Sequence, residues 1–261
     1  MKTFCFTIDD NIRFLKELTY GKYDSLFDHP YLAMLKRLHE RFRLKIQLNL
    51  FYSCDGFTLS DMSDGYREEW TSVSDWLKLS FHSYEENIAP YENADYDTVR
   101  RDALAVSEEI LRFASSSSLA KTTTIHYCKM TADGILALCD AGVRGLLGLY
   151  GSDGVPTSSY SINHERAELL RHSEILSIDG ISHASIDLII NKLEIDEITS
   201  ALSSLLSRDS IRVMIHEQYF YPDYPAYQQD FEEKLALTFG ILAEHGYKSE
   251  FFEDILGTVA K

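Results

Sequence analysis

Two adjacent carboxylates, Asp9 and Asp10, close the run Thr3-Phe4-Cys5-Phe6-Thr7-Ile8. Apolar residues on both faces of such a run indicate a strand buried on both sides, as in a parallel sheet covered by helices. In α/β sheets and barrels the C-terminal strand ends carry the chemistry, so paired acids there fit a metal ligand beside a general base. The structural alternative is a strand tip that caps the next helix, because Asn11-Ile12-Arg13-Phe14-Leu15 has helical character. Three more predicted strands end on histidine: His82 after Trp76–Phe81, His126 after Thr122–Ile125 and His216 after Ile211–Ile215. A single histidine at a strand end is ordinarily a surface or hydrogen-bonded residue. Three of them in register with an Asp pair point to one shared site. The remaining histidines, His29, His39, His164, His172, His183 and His245, fall in predicted helices or loops and carry no such expectation.

The segment His82-Ser83-Tyr84-Glu85-Glu86 adds a candidate ligand. If the chain coils into a helix after the strand, His82 and Glu86 stand i, i+4 and face the same ion. With Asp10 they make a one-nitrogen, two-oxygen set, which suits Zn, Mn, Fe, Co or Ni better than Ca. The plainer reading is that Glu85 and Glu86 open a solvated helix, favoured there by its dipole. Aromatic residues cluster nearby: Trp76, Tyr84 and Tyr91 around His82, Tyr127 beside His126, and Tyr219-Phe220-Tyr221 with Tyr224 after His216. Sugar rings pack their C–H faces on such side chains, and Tyr84, Tyr127 and Tyr219 are the candidate substrate contacts. A chain with 12% aromatic residues also places such clusters in loops without any ligand.

The elements that position these residues alternate. Helical periodicity covers 11–20, 31–42, 95–113, 132–141, 194–206 and 227–245, with Leu32, Leu35, Leu38 and Phe42 on one face of the second. Strands fall at 44–52, where apolar and polar residues alternate cleanly, and at 76–81, 122–125, 143–150, 211–215 and 248–252; two short strands flank Asp179-Gly180. Residues 55–75 and 151–166 are turn-rich, and the former is long enough to be a functional loop with local helix. Alternating strands and helices read as a parallel α/β barrel or a doubly wound sheet, the barrel being preferred. No repeat or composition break divides the chain, so a single domain over 1–261 is expected, close to the usual barrel length of about 250 residues.

A composition of 45% hydrophobic and 25% charged residues supports a sizeable core. The formal charge of -16 argues against nucleic acid and against an anionic membrane surface as partners. No apolar run reaches transmembrane length, and the N-terminus has no signal-peptide pattern. Cys5, Cys54, Cys128 and Cys139 lack CxxC spacing and read as reduced, mostly buried thiols of a cytoplasmic protein.

These residues together resemble the NodB-type polysaccharide deacetylases, the carbohydrate esterase family 4 superfamily of distorted (β/α)7, TIM-like barrels. The family's T-F-D-D motif is matched at three positions by Thr7-Ile8-Asp9-Asp10, and the resemblance implies Asp9 as catalytic base and Asp10 as metal ligand. Its H-[ST]-x-x-H motif begins at His82-Ser83-Tyr84-Glu85 and is broken by Glu86, which stands where a second ligand histidine belongs. Its L-x-H motif is approximated by Met214-Ile215-His216, making His216 the catalytic acid. The Arg-Pro-Tyr and D-x-x-D-W motifs are absent; Ile125-His126-Tyr127 lies at a similar place, and His126 is a replacement third ligand or an oxyanion donor. What the resemblance implies is metal-assisted removal of N- or O-linked acetyl groups from a carbohydrate. A divalent ion, zinc first with Co, Ni, Mn or Fe as alternatives, would acidify water for Asp9 to deprotonate while His216 protonates the leaving group. Two rivals stand beside it: a degenerate barrel that binds a saccharide or a protein without turnover, and another metal-dependent hydrolase, either a C-N hydrolase acting outside carbohydrates or a glycosidase using Asp9 and Glu217.

Overall fold

The computed structural model describes residues 2–86, 90–150, 159–172 and 174–259. Five parallel strands run side by side in the order Leu188–Ile189, Ser210–His216, Thr3–Asn11, Ile46–Phe51 and Leu77–Ser83. A second parallel group holds Thr122–Thr124, Gly145–Gly148 and Ile181–Ser185, with Leu176–Ile178 added antiparallel at its edge. The two groups meet on both sides. The Leu79 amide donates to the Ser118 carbonyl and the Ala120 amide to that of Leu79; across the other seam the Ile186 and Asp187 amides donate to the Gly148 and Arg212 carbonyls. The wall therefore curves round on itself as a distorted (β/α)7-type barrel, and helices cover its outside. Among the described residues no helix is long and apolar enough to cross a membrane.

Helix starts follow local capping chemistry. Asp95 accepts from the Thr98 amide to open Tyr96–Phe113, Thr131 from Gly134 to open Ala132–Asp140, and Asn163 from Arg166 to open His164–Arg171. The outward faces of the wall strands and the inner faces of the helices form one continuous core, with Phe6, Phe14, Leu35, Leu48, Trp70, Val106 and Phe239 fully enclosed. At 20–33 cal/mol for each Å² of apolar surface buried, each such side chain contributes roughly 2–3 kcal/mol. Inside the barrel the N-terminal end is plugged. Cys5, Leu147, Ala184, Ile186 and Met214 pack against Phe252 and Ile255 of the helix Phe252–Val259. That helix comes close enough that a Cβ on Gly145 would stand 2.7 Å from Leu256 Cδ1. Beside the plug, buried Arg212 pairs with Asp187 at 3.0 Å and donates to the Ser185 carbonyl.

Several expectations are corrected. The first strand runs on through Asn11, so Asp9 and Asp10 lie within it and the helix begins only at Arg13. The end of the chain is a short strand, Lys248–Ser249, followed by a helix rather than a strand to 252. The helix expected at 194–206 shrinks to Ile198–Ser203, and that at 227–245 begins at Phe231. A helix, His164–Arg171, occupies part of the predicted turn-rich stretch; 151–158 lies outside the described residues. His183 belongs to a strand and is fully buried. The stretch 55–75 carries the expected local helix, Arg67–Ser72, and also the return strand Phe57–Thr58 of a tight hairpin that starts at Ser53–Cys54. All four cysteines are free; Cys5 and Cys128 are buried and Cys54 and Cys139 half-buried.

One contact ties the strand that ends at His216 to the helix Arg13–Tyr20. Ile12 gives that helix no side-chain cap, and buried Glu217 replaces it from the end of the adjacent strand. The amides of Ile12, Arg13 and Phe14 donate to its carboxylate at 2.7, 3.1 and 2.8 Å, and the Tyr221 hydroxyl donates at 2.7 Å. Burial nevertheless dominates and pushes the Glu217 carboxyl up from 4.5 to about 7, against the pull of those donors. A folded-state value above the unfolded one means that the native protein binds this proton more tightly, so Glu217 favours folding less as pH rises through that window. The difference corresponds to roughly 3 kcal/mol. Chemical denaturation of the wild type and of Glu217→Gln, which does not titrate, should therefore show a stability difference that falls by up to that amount from about pH 4.5 to about pH 7. A pH-independent difference would show that the carboxyl stays ionised in the fold.

Candidate metal centre and active site

Strand registers explain how neighbouring residues reach one cavity. On the first strand Ile8 pairs with Leu48 but Asn11 pairs with Leu50, so an extra residue bulges out at Asp9-Asp10. Asp9 faces the interior by ordinary alternation with Cys5 and Thr7. Asp10, with a φ of 61°, is turned by the bulge so that it lines the same cavity. A left-handed backbone on a non-glycine residue costs on the order of 1 kcal/mol, and such strain concentrates at functional sites. The strand Leu77–Ser83 repeats the device. Leu50 pairs with Phe81 and Phe51 with Ser83, which leaves His82 as the extra residue.

Asp10, His82 and His126 converge. Their ligand atoms lie within 4.8 Å of one another, and no other group of three or more such side chains does so among the described residues. Asp10 Oδ1 is 3.0 Å from His82 Nε2 and 3.2 Å from His126 Nδ1, and those two nitrogens are 3.2 Å apart. The far nitrogen of each ring is held by a carbonyl, which can only accept: His82 Nδ1 donates to Thr124, and His126 Nε2 donates to Glu86 at 2.6 Å. Both inner nitrogens thereby aim lone pairs at the carboxylate, the arrangement that outer hydrogen bonds impose on metal-binding histidines. Four-coordinate zinc, with bonds of about 2.0–2.1 Å, needs neighbouring ligand atoms about 3.3 Å apart, so the trio fits a divalent ion without rearrangement. Burial opposes ionisation of Asp10, yet its contacts with His126 and His82 hold its carboxyl well below the usual range. Burial likewise works against the His82 cation, but Asp9 and Asp10 raise its pKa. The trio is thus electrostatically built to hold positive charge.

Asp9 is fixed by a chain of amides. Asn49 Nδ2 donates to Asp9 Oδ1 at 2.6 Å, Gln47 Nε2 donates to Asn49 Oδ1 at 2.7 Å and to the Thr122 carbonyl at 2.8 Å, and Thr122 Oγ1 returns a bond to Gln47 Oε1. Burial raises the Asp9 pKa, with His82, His216 and Asn49 pulling the other way. That is the direction a general base requires. His216 sits opposite Asp9 in the register of adjacent strands. Its Nδ1 donates to Asn191 Oδ1 at 2.9 Å, and burial lowers its pKa against the attraction of Asp10 and Asp9. Asp9, Asp10, His82, His126 and His216 all line one cavity of about 360 Å³, together with Glu86, Tyr127 and Tyr219.

The expected role of Glu86 changes in detail. Residues 84–86 bend irregularly after the strand instead of coiling into a helix, so the i, i+4 geometry is not formed. Glu86 lines the cavity and holds His126 through its backbone carbonyl, while the carboxylate is outside the convergent trio; burial and Asp10 raise its pKa. Tyr84 stacks on Tyr52 at 4.7 Å and does not line the cavity. Trp76 and Tyr91 are core residues, Trp76 stacked on His39 at 4.2 Å and Tyr91 fully buried, so neither offers a face to a ligand. Tyr127 is 60% exposed at the cavity mouth. Sequence reasoning missed Asn49, Gln47, Asn191 and Gln218. The signal for the first two was amides, rather than charges, at alternate positions of Ile46–Phe51.

No family model and no curated protein sequence matches the chain. Solved structures do. A 4-α-glucanotransferase from Thermococcus litoralis aligns with a TM-score of 0.64 at 14% identity, over 98% of this chain and 40% of that one. A family 4 carbohydrate esterase pseudoenzyme from Bacillus anthracis gives 0.55 at 10% identity, over 98% and 65%. A family 4 acetyl xylan esterase from Clostridium thermocellum, in complex with a cobalt ion, gives 0.54 at 12% identity, over 98% and 91%. The chain thus spans well under half of the first of these proteins and about two thirds of the second. At such identities the shared property is the fold, and the distorted barrel expected from the sequence is the fold of these esterases.

The geometry separates His126 from Glu86 experimentally. His126→Ala removes a candidate ligand atom and, if the trio holds the ion, should weaken Zn²⁺ affinity by more than about 100-fold, beyond what loss of an outer partner causes. Glu86→Ala retains the carbonyl that orients His126 and should bind Zn²⁺ nearly as well as wild type. Competition with a chromophoric chelator reads both, and the reverse ranking would restore the carboxylate as the ligand.

Proposed function

We propose that this protein is a metal-dependent hydrolase that removes N- or O-linked acetyl groups from a carbohydrate. The observation that carries the reading is the meeting of the Asp10–His82–His126 trio with Asp9 and His216 in a single cavity. The fold shared with family 4 carbohydrate esterases supports it, one of those neighbours being an acetyl xylan esterase described with cobalt. Asp10, His82 and His126 would hold the ion, with zinc favoured by the two-nitrogen, one-oxygen donor set. Bound there, a divalent cation supplies Lewis acidity to a carbonyl oxygen and lowers the pKa of water toward about 7.

The chain's own residues do the rest. Asp9, with its pKa raised by burial and its Oδ1 anchored by Asn49, takes the proton of the attacking water. His216, with Nδ1 committed to Asn191, keeps Nε2 to deliver a proton to the departing amine or alkoxide. The lowered His216 pKa makes its protonated form a ready donor. Tyr127 and Tyr219, with Tyr224, give the cavity mouth aromatic faces for a sugar ring. The glycosidase alternative loses its second acid. Glu217 is buried, does not line the cavity and has both oxygens occupied by helix amides and Tyr221.

Acetate release from N-acetylated and O-acetylated saccharides, measured on zinc-loaded protein, tests the reading. Asp9→Asn and His216→Ala should each lower turnover by about 10²–10⁴-fold while zinc is still bound. Since one structural neighbour is described as a pseudoenzyme, a zinc-loaded wild type that binds saccharide and releases no acetate would identify a non-catalytic binding barrel instead.

A further inference from the structure

We propose that Gln218 is a positioning residue of the metal centre, holding the outer oxygen of Asp10 so that the carboxylate offers only Oδ1 to a divalent cation. The inference rests on the metal-dependent reading above and goes beyond it by assigning a residue that no motif marks. Gln218 Nε2 donates to Asp10 Oδ2 at 2.7 Å, while Oδ1 faces His82 Nε2 and His126 Nδ1 at 3.0 and 3.2 Å. The two carboxylate oxygens are therefore divided between two tasks. The amide orientation follows from the chemistry, because reversing it would set Gln218 Oε1 against a carboxylate oxygen. Oε1 itself is buried without a hydrogen-bond partner, so the side chain is held through its nitrogen, by Asp10 and by a contact with Tyr224.

Asp10 needs such a restraint. It sits on a bulge, where the ladder that would otherwise fix the strand is interrupted, and its backbone is left-handed. A carboxylate free to rotate would chelate the ion through both oxygens and take up the coordination position that water or substrate requires. Gln218 is well placed to prevent this, since it belongs to the short turn Glu217–Phe220 immediately after His216. Glu217 pins that turn to the helix start at Ile12–Phe14, and the Gln228 amide pins it again by donating to the Tyr219 carbonyl. The amide is neutral, so it orients Asp10 without cancelling the negative charge that a cation needs; a lysine or arginine at the same place would cancel it.

The test is metal affinity, read by titrating metal-free protein with Zn²⁺ against a chromophoric chelator, and coordination number, read from the visible absorption of the Co²⁺ form. Gln218→Ala should weaken Zn²⁺ binding by about 10- to 100-fold, the usual cost of losing an outer hydrogen bond to a ligand. Its Co²⁺ spectrum should lose intensity as the released carboxylate becomes bidentate. Gln218→Met, close in size and uncharged but lacking the donor, should behave in the same way, which excludes a space-filling role and covers the case in which the alanine variant misfolds. Wild-type affinity and an unchanged Co²⁺ spectrum in both variants would overturn this inference alone. A wild type that binds neither metal would overturn the metal-dependent reading and this inference with it.

Discussion

The constraint on which the structure turns is the approach of three lone-pair-bearing atoms, Asp10 Oδ1, His82 Nε2 and His126 Nδ1, to within about 3 Å of one another in a buried place. Backbone carbonyls hold the outer protons of both histidines, so the rings cannot relieve the crowding by turning over. Only positive charge stabilises such a set, and burial strengthens that demand because water cannot screen it. The bulges at Asp10 and His82, the left-handed backbone of Asp10 and the irregular exit after Ser83 all bring side chains to this point against the regular habit of a strand.

Around that point the barrel interior is graded. Its N-terminal end is dry, filled by Cys5, Met214, Ile186 and the helix beginning at Phe252. Above this lies a layer of amides and hydroxyls, Gln47, Asn49, Ser80 and Thr122, bonded to one another and to the wall. Asp9 stands on top of that layer with its carboxyl firmly placed. Satisfied buried polar groups of this kind rigidify a site, and a catalytic base gains from being held rather than free.

Much of this was legible in the residues alone, and the remainder was not for physical reasons. The strand ends at Asp9-Asp10, His82, His126 and His216 stand out because apolar runs stop on groups able to ligate or transfer protons. Their convergence follows from the parallel barrel. The third ligand was harder to assign, because the helical spacing that would bring Glu86 to the ion requires a helix after Ser83 that does not form. His126, offered by the strand-end pattern as a third ligand or an oxyanion donor, stands beside Asp10 and His82 from another strand, a proximity that one-dimensional spacing alone cannot rank above Glu86. Alternation in Ile46–Phe51 reveals a strand but hides that its polar face points into a barrel, where Gln47 and Asn49 are buried. Tyr84, Tyr91 and Trp76 look like a sugar platform in sequence, yet they spend their rings on Tyr52, the core and His39.

The most direct test of the central claim is an anomalous difference map at the zinc absorption edge from crystals of the protein grown or soaked with Zn²⁺. The account predicts one peak about 2.0–2.2 Å from Asp10 Oδ1, His82 Nε2 and His126 Nδ1. A cavity with no peak there, or a peak bonded to the Glu86 carboxylate and out of reach of His126, would contradict it.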